Sequence, residues 1–411
     1  MEEIVVGVDV GTSKVCALIG RLNRTNQLEI LGVGTEPCNG VRKGIIVDID
    51  STSSSIRAAI EQAESMAGLK VGSAYVNLVG AHVSVINNRI STDVGGENRE
   101  ITSKDIEKIL YSVRNIAIPE DRQIIDVIPR QYIIDGYDEI IDPVGMVGVK
   151  LEVDADIIAG KITSVQNIVK SMEKVNVKLD GLVVEALATA EMVLTPEEKD
   201  MTTVLIDIGG GITDVSVFRN KNLIFYDSIP VGGDHITNDI SLGLKIPYAE
   251  AEKVKKEYSL ALVSLIKNDQ EFYVSDLGDN RRKSIKVSET VEIVEARVHE
   301  IFSLVRDLLD RTVLKGNHVS GIILTGCGII YADGCLQLAG EVFGLPVRIA
   351  SGKGAGLAKN DYTTAAGIVK YILSSRKGNS MASDVRLMKQ RGGKKESGIL
   401  GKLTKLFYDF F

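Results

Sequence analysis

The sequence predicts an α/β fold built around an internal duplication. Strands and helices alternate along the 411 residues, and the length suits two to four domains, each able to bury its own core. One strand–acid–glycine–hydroxyl–strand unit occurs twice, some 200 residues apart, and such repeats are the first feature to read in a chain.

Residues 4–10 form a β-branched run that ends in Asp9-Val10-Gly11-Thr12-Ser13. Apolar residues resume over 14–22, and 28–34 makes a third strand. Strands joined by a short glycine turn read as a hairpin. Residues 51–68 predict a helix through Ile56, Ile60, Ala63 and Ala67, with Gly68 as its cap. A second helix, 102–116, starts at Thr102 and carries the stripe Ile106, Ile109, Leu110 and Val113.

The hairpin pattern then returns. Residues 203–208 lead into Asp207-Ile208-Gly209-Gly210-Gly211-Ile212-Thr213-Asp214, followed by strand 215–218, a turn at Asn220-Lys221-Asn222 and strand 223–229. Residues 247–258 predict a short charged helix. Residues 288–314 predict a long one with Val291, Val294, Val298, Ile301, Val305 and Leu308 on one face. Strand 319–326 breaks into Gly326-Cys327-Gly328. Alternation of this kind defines the α/β class, and core packing explains the apolar stripes.

Composition excludes several classes. The chain has 48 Lys+Arg against 55 Asp+Glu, a net charge of −7, with no Trp and 5% aromatic residues. An acidic total without stacking platforms argues against a general nucleic-acid binder. The average conceals a split, because residues 376–411 hold nine Lys/Arg and three Asp/Glu, which leaves 39 against 52 in the rest. The four cysteines and four histidines show no zinc-ligand spacing, so buried thiols in a reducing compartment are expected. The acidic start MEEIVV does not read as a signal peptide, and no apolar run approaches the ~18–20 residues that span a bilayer.

The two turns suit nucleotide phosphates. Gly11 lets the backbone approach a ligand, amides and hydroxyls of Thr12 and Ser13 point at phosphate oxygens, and Lys14 supplies a cation. Asp9 would orient the waters of Mg2+, which usually keeps several when bound. Gly209, Gly210 and Gly211 would act from the opposite side, with Asp207 as second acid and Thr213 as second hydroxyl. Neither turn has Walker or dinucleotide spacing.

This pairing resembles the actin, Hsp70 and sugar-kinase superfamily, whose two lobes clamp ATP between duplicated hairpins. Leu324-Thr325-Gly326-Cys327-Gly328 is similar to its adenosine motif, although glycine is usual where Cys327 stands, so a thiol there would reshape adenine contact. Glu252 and Lys255 match a helix that touches the ribose and adenine. Val184-Glu185-Ala186-Leu187-Ala188 and Ala365-Ala366-Gly367 resemble the two interlobe connections. The resemblance implies ATP and Mg2+ as ligands, with Glu185 and Thr213 positioning an attacking water.

Between the hairpins lie Arg99-Glu100-Ile101, Asp105-Ile106, Ile124-Ile125-Asp126-Val127-Ile128-Pro129, Asp135-Gly136 and Asp142-Pro143-Val144-Gly145-Met146-Val147-Gly148. This string resembles the inserted subdomain of the bacterial FtsA cell-division family, as do Val41-Arg42-Lys43-Gly44, Ile229-Pro230-Val231-Gly232-Gly233, Ile236-Thr237 and Asp239-Ile240. The implied organisation is first-lobe core 1–82, inserted subdomain 83–164, first-lobe completion with interlobe helix 165–198, second-lobe core 199–241, outer subdomain 242–309, and second-lobe core with return to the first lobe 310–375. A basic linker over 376–397 and an amphipathic helix over 398–411 follow. The resemblance implies a protein that polymerises head to tail at the inner face of the cytoplasmic membrane. It would tether FtsZ filaments there during septum assembly, beside other division proteins, with residues 242–309 receiving FtsZ's C-terminal peptide.

The tail supports this independently. Residues 378–396 are polar and basic, the composition of a disordered segment, whose flexible ends would lie about 25 Å apart. Beyond it, Ile399, Leu400, Leu403, Leu406, Phe407, Phe410 and Phe411 share one helical face, and Lys402, Thr404, Lys405 and Asp409 the other. Such a segment suits a membrane interface, with Lys394 and Lys395 adding about 1 kcal/mol each against anionic lipids. Docking on the protein's own body or on a partner groove is the alternative. One copy would bind reversibly, and a filament would hold by avidity.

A small-molecule or sugar kinase on the same fold would need an aspartate base beside a substrate hydroxyl, and no motif supplies one. A PilM-like pilus adaptor has no use for the amphipathic tail. Phosphate ligands alone leave open whether ATP is turned over.

Overall fold

A computed structural model describes residues 3–96, 98–258, 260–275, 282–314, 318–350 and 362–378. The first lobe begins with an antiparallel meander, β1 (Val5–Val10), β2 (Lys14–Leu22) and β3 (Leu28–Pro37). A small hairpin, β4 (Val41–Arg42) and β5 (Ile45–Ile46), leads to α1 (Ile49–Ala67) and β6 (Ser73–Leu78). The chain then leaves for an inserted unit of β7 (Val83–Asp93), α2 (Ser103–Val113), β8 (Arg122–Ile134), β9 (Tyr137–Ile140) and β10 (Lys150–Lys161). It returns through α3 (Ile162–Lys174) and β11 (Lys178–Val184), and α4 (Glu185–Val193) and α5 (Pro196–Asp200) carry it to the second lobe.

That lobe repeats the plan with β12 (Thr203–Ile208), β13 (Thr213–Arg219) and β14 (Asn222–Ile229), then α6 (Gly233–Gly243) and α7 (Tyr248–Glu257). Its outer part holds the hairpin β15 (Glu271–Ser275) and β16 (Arg282–Lys286) and the long helix α8 (Val287–Thr312). The core closes with β17 (Gly321–Thr325), α9 (Cys335–Phe343) and β18 (Val347–Ile349), and α10 (Thr363–Gly378) returns to the first lobe.

The duplication is topological. One sheet runs β3-β2-β1-β6-β11 and the other β14-β13-β12-β17-β18. In each, the meander is antiparallel and the later strands add in parallel, so β1 and β12 occupy equivalent central places. Among the described residues the first-lobe sheet packs into two cores, one shared with α10 and one that takes in Leu205, Phe218, Leu223 and Ile323 of the second lobe. The second lobe has a core of its own, and the insertion packs Ile109, Val113, Leu151, Val153 and Ile157 into a fourth.

Local chemistry accounts for the element ends. Helix α1 starts two residues before the sequence predicts, because the Asp48 carboxylate accepts from the Ser51 amide and caps it earlier. It ends as expected at Gly68, in the left-handed region at φ 67°. Helix α2 starts at Thr102, whose amide and hydroxyl both donate to the Asp105 carboxylate, but stops at Val113, short of residue 116. Helix α1 lies directly on β3, where a Cβ on Gly34 would come within 2.0 Å of the Ala59 carbonyl. Among the described residues no helix is long and apolar enough to cross a membrane.

The lobes are joined by two crossing helices, α4 and α10. A Cβ on Gly367 would sit 2.0 Å from the Ala188 carbonyl oxygen, and the hydroxyls of Thr189 and Thr364 meet at 3.3 Å. This is the close crossing expected of Ala365-Ala366-Gly367.

Candidate functional site

The two hairpin turns close alike. The Gly11 amide donates to the Lys14 carbonyl at 3.0 Å, and the Gly209 amide to the Ile212 carbonyl at 2.9 Å. Their tips face each other between the lobes. A Cβ on Gly210 would fall 1.8 Å from Ser13 Oγ, and one on Gly211 would fall 2.6 Å from Thr12 Cγ2. The groups expected at phosphates reach across to protein partners. Ser13 donates its hydroxyl to the Asp234 carboxylate at 3.0–3.2 Å, and Lys14 Nζ lies 3.6 Å from the sulfur of the exposed Cys327. Thr12 Oγ1 accepts from the Gly44 amide at 3.2 Å. Thr213 is fully buried and donates to the Val231 carbonyl at 2.8 Å.

Behind the tips lie four carboxylates. Asp9 and Asp207 end the two equivalent central strands, Asp214 follows Thr213 on β13, and Glu185 opens α4. Burial pushes Asp9 up to about 6, against the pull of Lys14. Burial, then Asp214 and Asp9, take Asp207 to about 7. Asp214 rises to about 6 through burial, opposed by hydrogen bonds from Ser228 and the Gly80 amide. Glu185 is raised well above its ordinary range by burial and by the other three acids. Among the described residues no three His, Cys, Asp or Glu side chains come close enough to ligate a metal directly.

The second-lobe floor is lined by glycine. Gly326 takes φ 102°, where a Cβ would lie 2.3 Å from the Ile208 carbonyl; only glycine adopts that conformation freely. The Gly328 amide donates to the same carbonyl at 2.8 Å, and a Cβ on Gly233 would meet Gly328 Cα at 2.6 Å. Glu252 and Lys255 lie beside this floor in one network. Lys255 Nζ reaches Glu252 at 2.8 Å, Thr237 Oγ1 at 2.8 Å and the Gly233 carbonyl at 3.1 Å. Burial alone would raise Glu252, and the bonds from Lys255 and Thr237 outweigh it.

The structure therefore gathers Asp9, Gly11, Thr12, Ser13, Lys14, Glu185, Asp207, Gly209, Gly210, Gly211, Thr213, Glu252, Lys255, Gly326, Cys327 and Gly328 where the two lobes meet. Ile399, Leu400, Lys402, Leu403, Lys405, Leu406, Phe407, Phe410 and Phe411 lie outside the described residues.

Three residues here carried no sequence signal of their own: Asn77, Gly80 and Asp234. Asp214 was legible as the last acid of the second turn, but its partner is distant. Its carboxylate accepts from Ser228 and, at 3.2 Å, from the amide of Gly80 in the first lobe. A Cβ on Gly80 would meet Ser228 Oγ at 2.5 Å, Asp214 Oδ1 at 2.7 Å and Tyr226 Cε2 at 2.8 Å. Gly80→Ala is expected to force these apart and to cost about 1–3 kcal/mol, read as a lower melting temperature. An unchanged melt would show that the lobes adjust freely there.

Known proteins place this fold. A family model described as Cell division protein FtsA matches residues 204–367, and one described as the SHS2 domain inserted in FtsA matches 80–159, the segment that leaves the first lobe at Gly80. A model for the type IV pilus assembly protein PilM matches 140–263. Among solved structures, MreB5 of Spiroplasma citri bound to AMPPNP superposes with TM-score 0.56 at 15% identity, covering 93% of this chain and 99% of that one. The PilM–PilN type IV pilus biogenesis complex gives 0.60 at 14%, covering 91% and 98%. These likenesses show an actin-like fold. The cell division protein FtsA of Pseudomonas aeruginosa is 36% identical over 91% of this chain and 90% of its own length. That of Bacillus subtilis is 36% identical over 90% and 83%, and that of Escherichia coli K12 31% over 90% and 90%. With such relatives matching along nine-tenths of its length, the chain belongs to the FtsA family of cell division proteins.

Proposed function

We propose that the chain binds ATP with Mg2+ between its lobes, polymerises on the inner face of the cytoplasmic membrane and tethers FtsZ filaments there during septum assembly. The observation that carries the nucleotide part is the pair of matched hairpin turns, tip to tip, with four carboxylates behind them, Asp214 buried and Asp9, Asp207 and Glu185 half-buried. Those acids, held toward protonation by burial and one another, suit a hydrated divalent cation, which would stabilise their charged forms. Asp9 and Asp207 would hold the metal's waters, and the glycine floor would admit the nucleotide's backbone-hugging parts. Mg2+, when bound, screens phosphate charge. MreB5, which shares the fold, has been seen with AMPPNP and with ADP.

Because Ser13 and Asp234 close the gap between the tips, phosphates enter by parting the lobes. Ser13 and Lys14 then exchange protein partners for phosphate oxygens. Thr213 supports its turn through Val231, and Glu185 would position the attacking water. Membrane attachment rests on the apolar face of 398–411 and FtsZ binding on 242–309, with septal location following from both. The PilM model matches only residues 140–263, against FtsA relatives along nine-tenths of the chain, so a pilus adaptor is not favoured, and no feature of the described residues favours a kinase.

Vesicle sedimentation tests the assembly. Full-length protein is expected to bind anionic vesicles more strongly with ATP than without, and protein lacking 398–411 to bind in neither state. Equal binding with and without ATP at every protein concentration would sink the coupling. Midcell bands that survive the truncation would sink the tether.

A further inference from the structure

Asn77 stands on an interior strand of the first-lobe sheet, β6, between β1 and β11. Its neighbours along the strand, Val76 and Leu78, are buried apolar residues, and Asn77 is itself 2% exposed. A strand position of that kind ordinarily takes a β-branched or other apolar residue. The amide here uses its polar atoms in three directions. Oδ1 accepts from the Val10 amide at 2.7 Å, while Nδ2 donates to Asp9 Oδ1 at 2.8 Å and to Glu185 Oε2 at 2.9 Å.

The orientation follows from the partners. Val10 offers only a donor and the carboxylates, when ionised, only acceptors, so a flipped amide would lose all three bonds. The register explains the reach, since Asn77 pairs with Val183 on β11 and follows Val76, which pairs with Val8 on β1. Asp9 and Glu185 therefore emerge from the two strands that flank Asn77.

We propose that Asn77 is a positioning residue of the cleft, its amide holding the carboxylates of Asp9 and Glu185 at one fixed spacing. The inference rests on the ATP–Mg2+ reading of the site. Two carboxylates in reach of one amide nitrogen repel each other, and without the shared donor they swing apart or take up a proton between them. Asp9 would then lose the aim that lets it hold the metal's waters. Outer partners of this kind typically alter metal affinity by about 10–100-fold.

The experiment measures fluorescent-ATP affinity of the full chain in Mg2+ and in EDTA, with melting temperature alongside. Asn77→Leu keeps the side-chain volume without its donors, and Asn77→Ala removes both. Each is expected to lose about 10-fold or more of the Mg2+ enhancement while affinity in EDTA changes little, because hairpin amides still hold the phosphates. Asn77→Ser, with one hydroxyl donor, is expected to fall between. An enhancement unchanged in Asn77→Leu, or lost only in Asn77→Ala, would reduce Asn77 to packing and overturn the inference. A wild-type chain that binds ATP in neither buffer would overturn the nucleotide reading instead.

Discussion

Replacing Gly367 with valine is expected to remove about 3 kcal/mol of stability, with a melting temperature several degrees lower and loss of ATP binding. The first Cβ atom alone would lie 2.0 Å from the Ala188 carbonyl oxygen and 2.5 Å from its carbon. Those are backbone atoms of α4, which no rotamer change can move aside. Helices α4 and α10 must separate, and the Thr189–Thr364 contact, 3.3 Å in the native crossing, opens with them. The effect reaches the cleft because α4 begins at Glu185. Displacing the helix misplaces that carboxylate relative to Asn77, which now holds it at 2.9 Å. Thermal melting and fluorescent-ATP titration on one preparation would check both consequences. A normal melt with normal binding would show that the crossing has slack the geometry denies.

The ligand-free chain is expected to lose stability as the pH rises from about 4 to about 7. Unfolded aspartates ionise near 3.8, whereas the folded chain holds protons on Asp9 and Asp214 up to about 6 and on Asp207 up to about 7. Between those limits the native state binds more protons than the unfolded state, so each rise in pH favours unfolding. The stabilisation is complete below the unfolded value and lost once the folded values are passed. One unit corresponds to about 1.4 kcal/mol, and for three interacting groups, two of them only half-buried, the sum is a few kcal/mol. Carboxylates held below their ordinary range, such as Asp105 and Glu198, work in the opposite sense, but their contribution disappears only below about pH 4. Asp207→Asn is therefore expected to raise the melting temperature at pH 8, and Mg2+ with ATP to flatten the wild-type slope. A melting temperature that rises across the window would contradict the cluster's burial.

The hairpins were legible because strand, acid, glycine and hydroxyl are consecutive in the chain. The roles of individual hydroxyls were less so. Thr213 reads as a phosphate-binding hydroxyl by its place in the turn, yet it is buried and donates to the Val231 carbonyl. Ser13 reads likewise, and its hydroxyl is given to Asp234, 221 residues away. Asn77 was invisible, since a single amide in an apolar strand carries no spacing signal. The same holds for Gly80, whose need for space comes wholly from Asp214, Ser228 and Tyr226 of the other lobe.

The sequence by itself determined the α/β class, the duplicated hairpins, the small-residue crossing at Ala365-Ala366-Gly367 and the contrast between an acidic body and a basic end. Each of these is written in neighbouring residues, where turn chemistry, periodicity and charge act over a few positions. Tertiary structure alone decided how Asp9, Glu185, Asp207 and Asp214 converge, which amide separates two of them, and which glycine lets the lobes close. The hydrogen bonds among them join residues 68 to 134 positions apart, and they arise only when the two lobes bring their strand ends together.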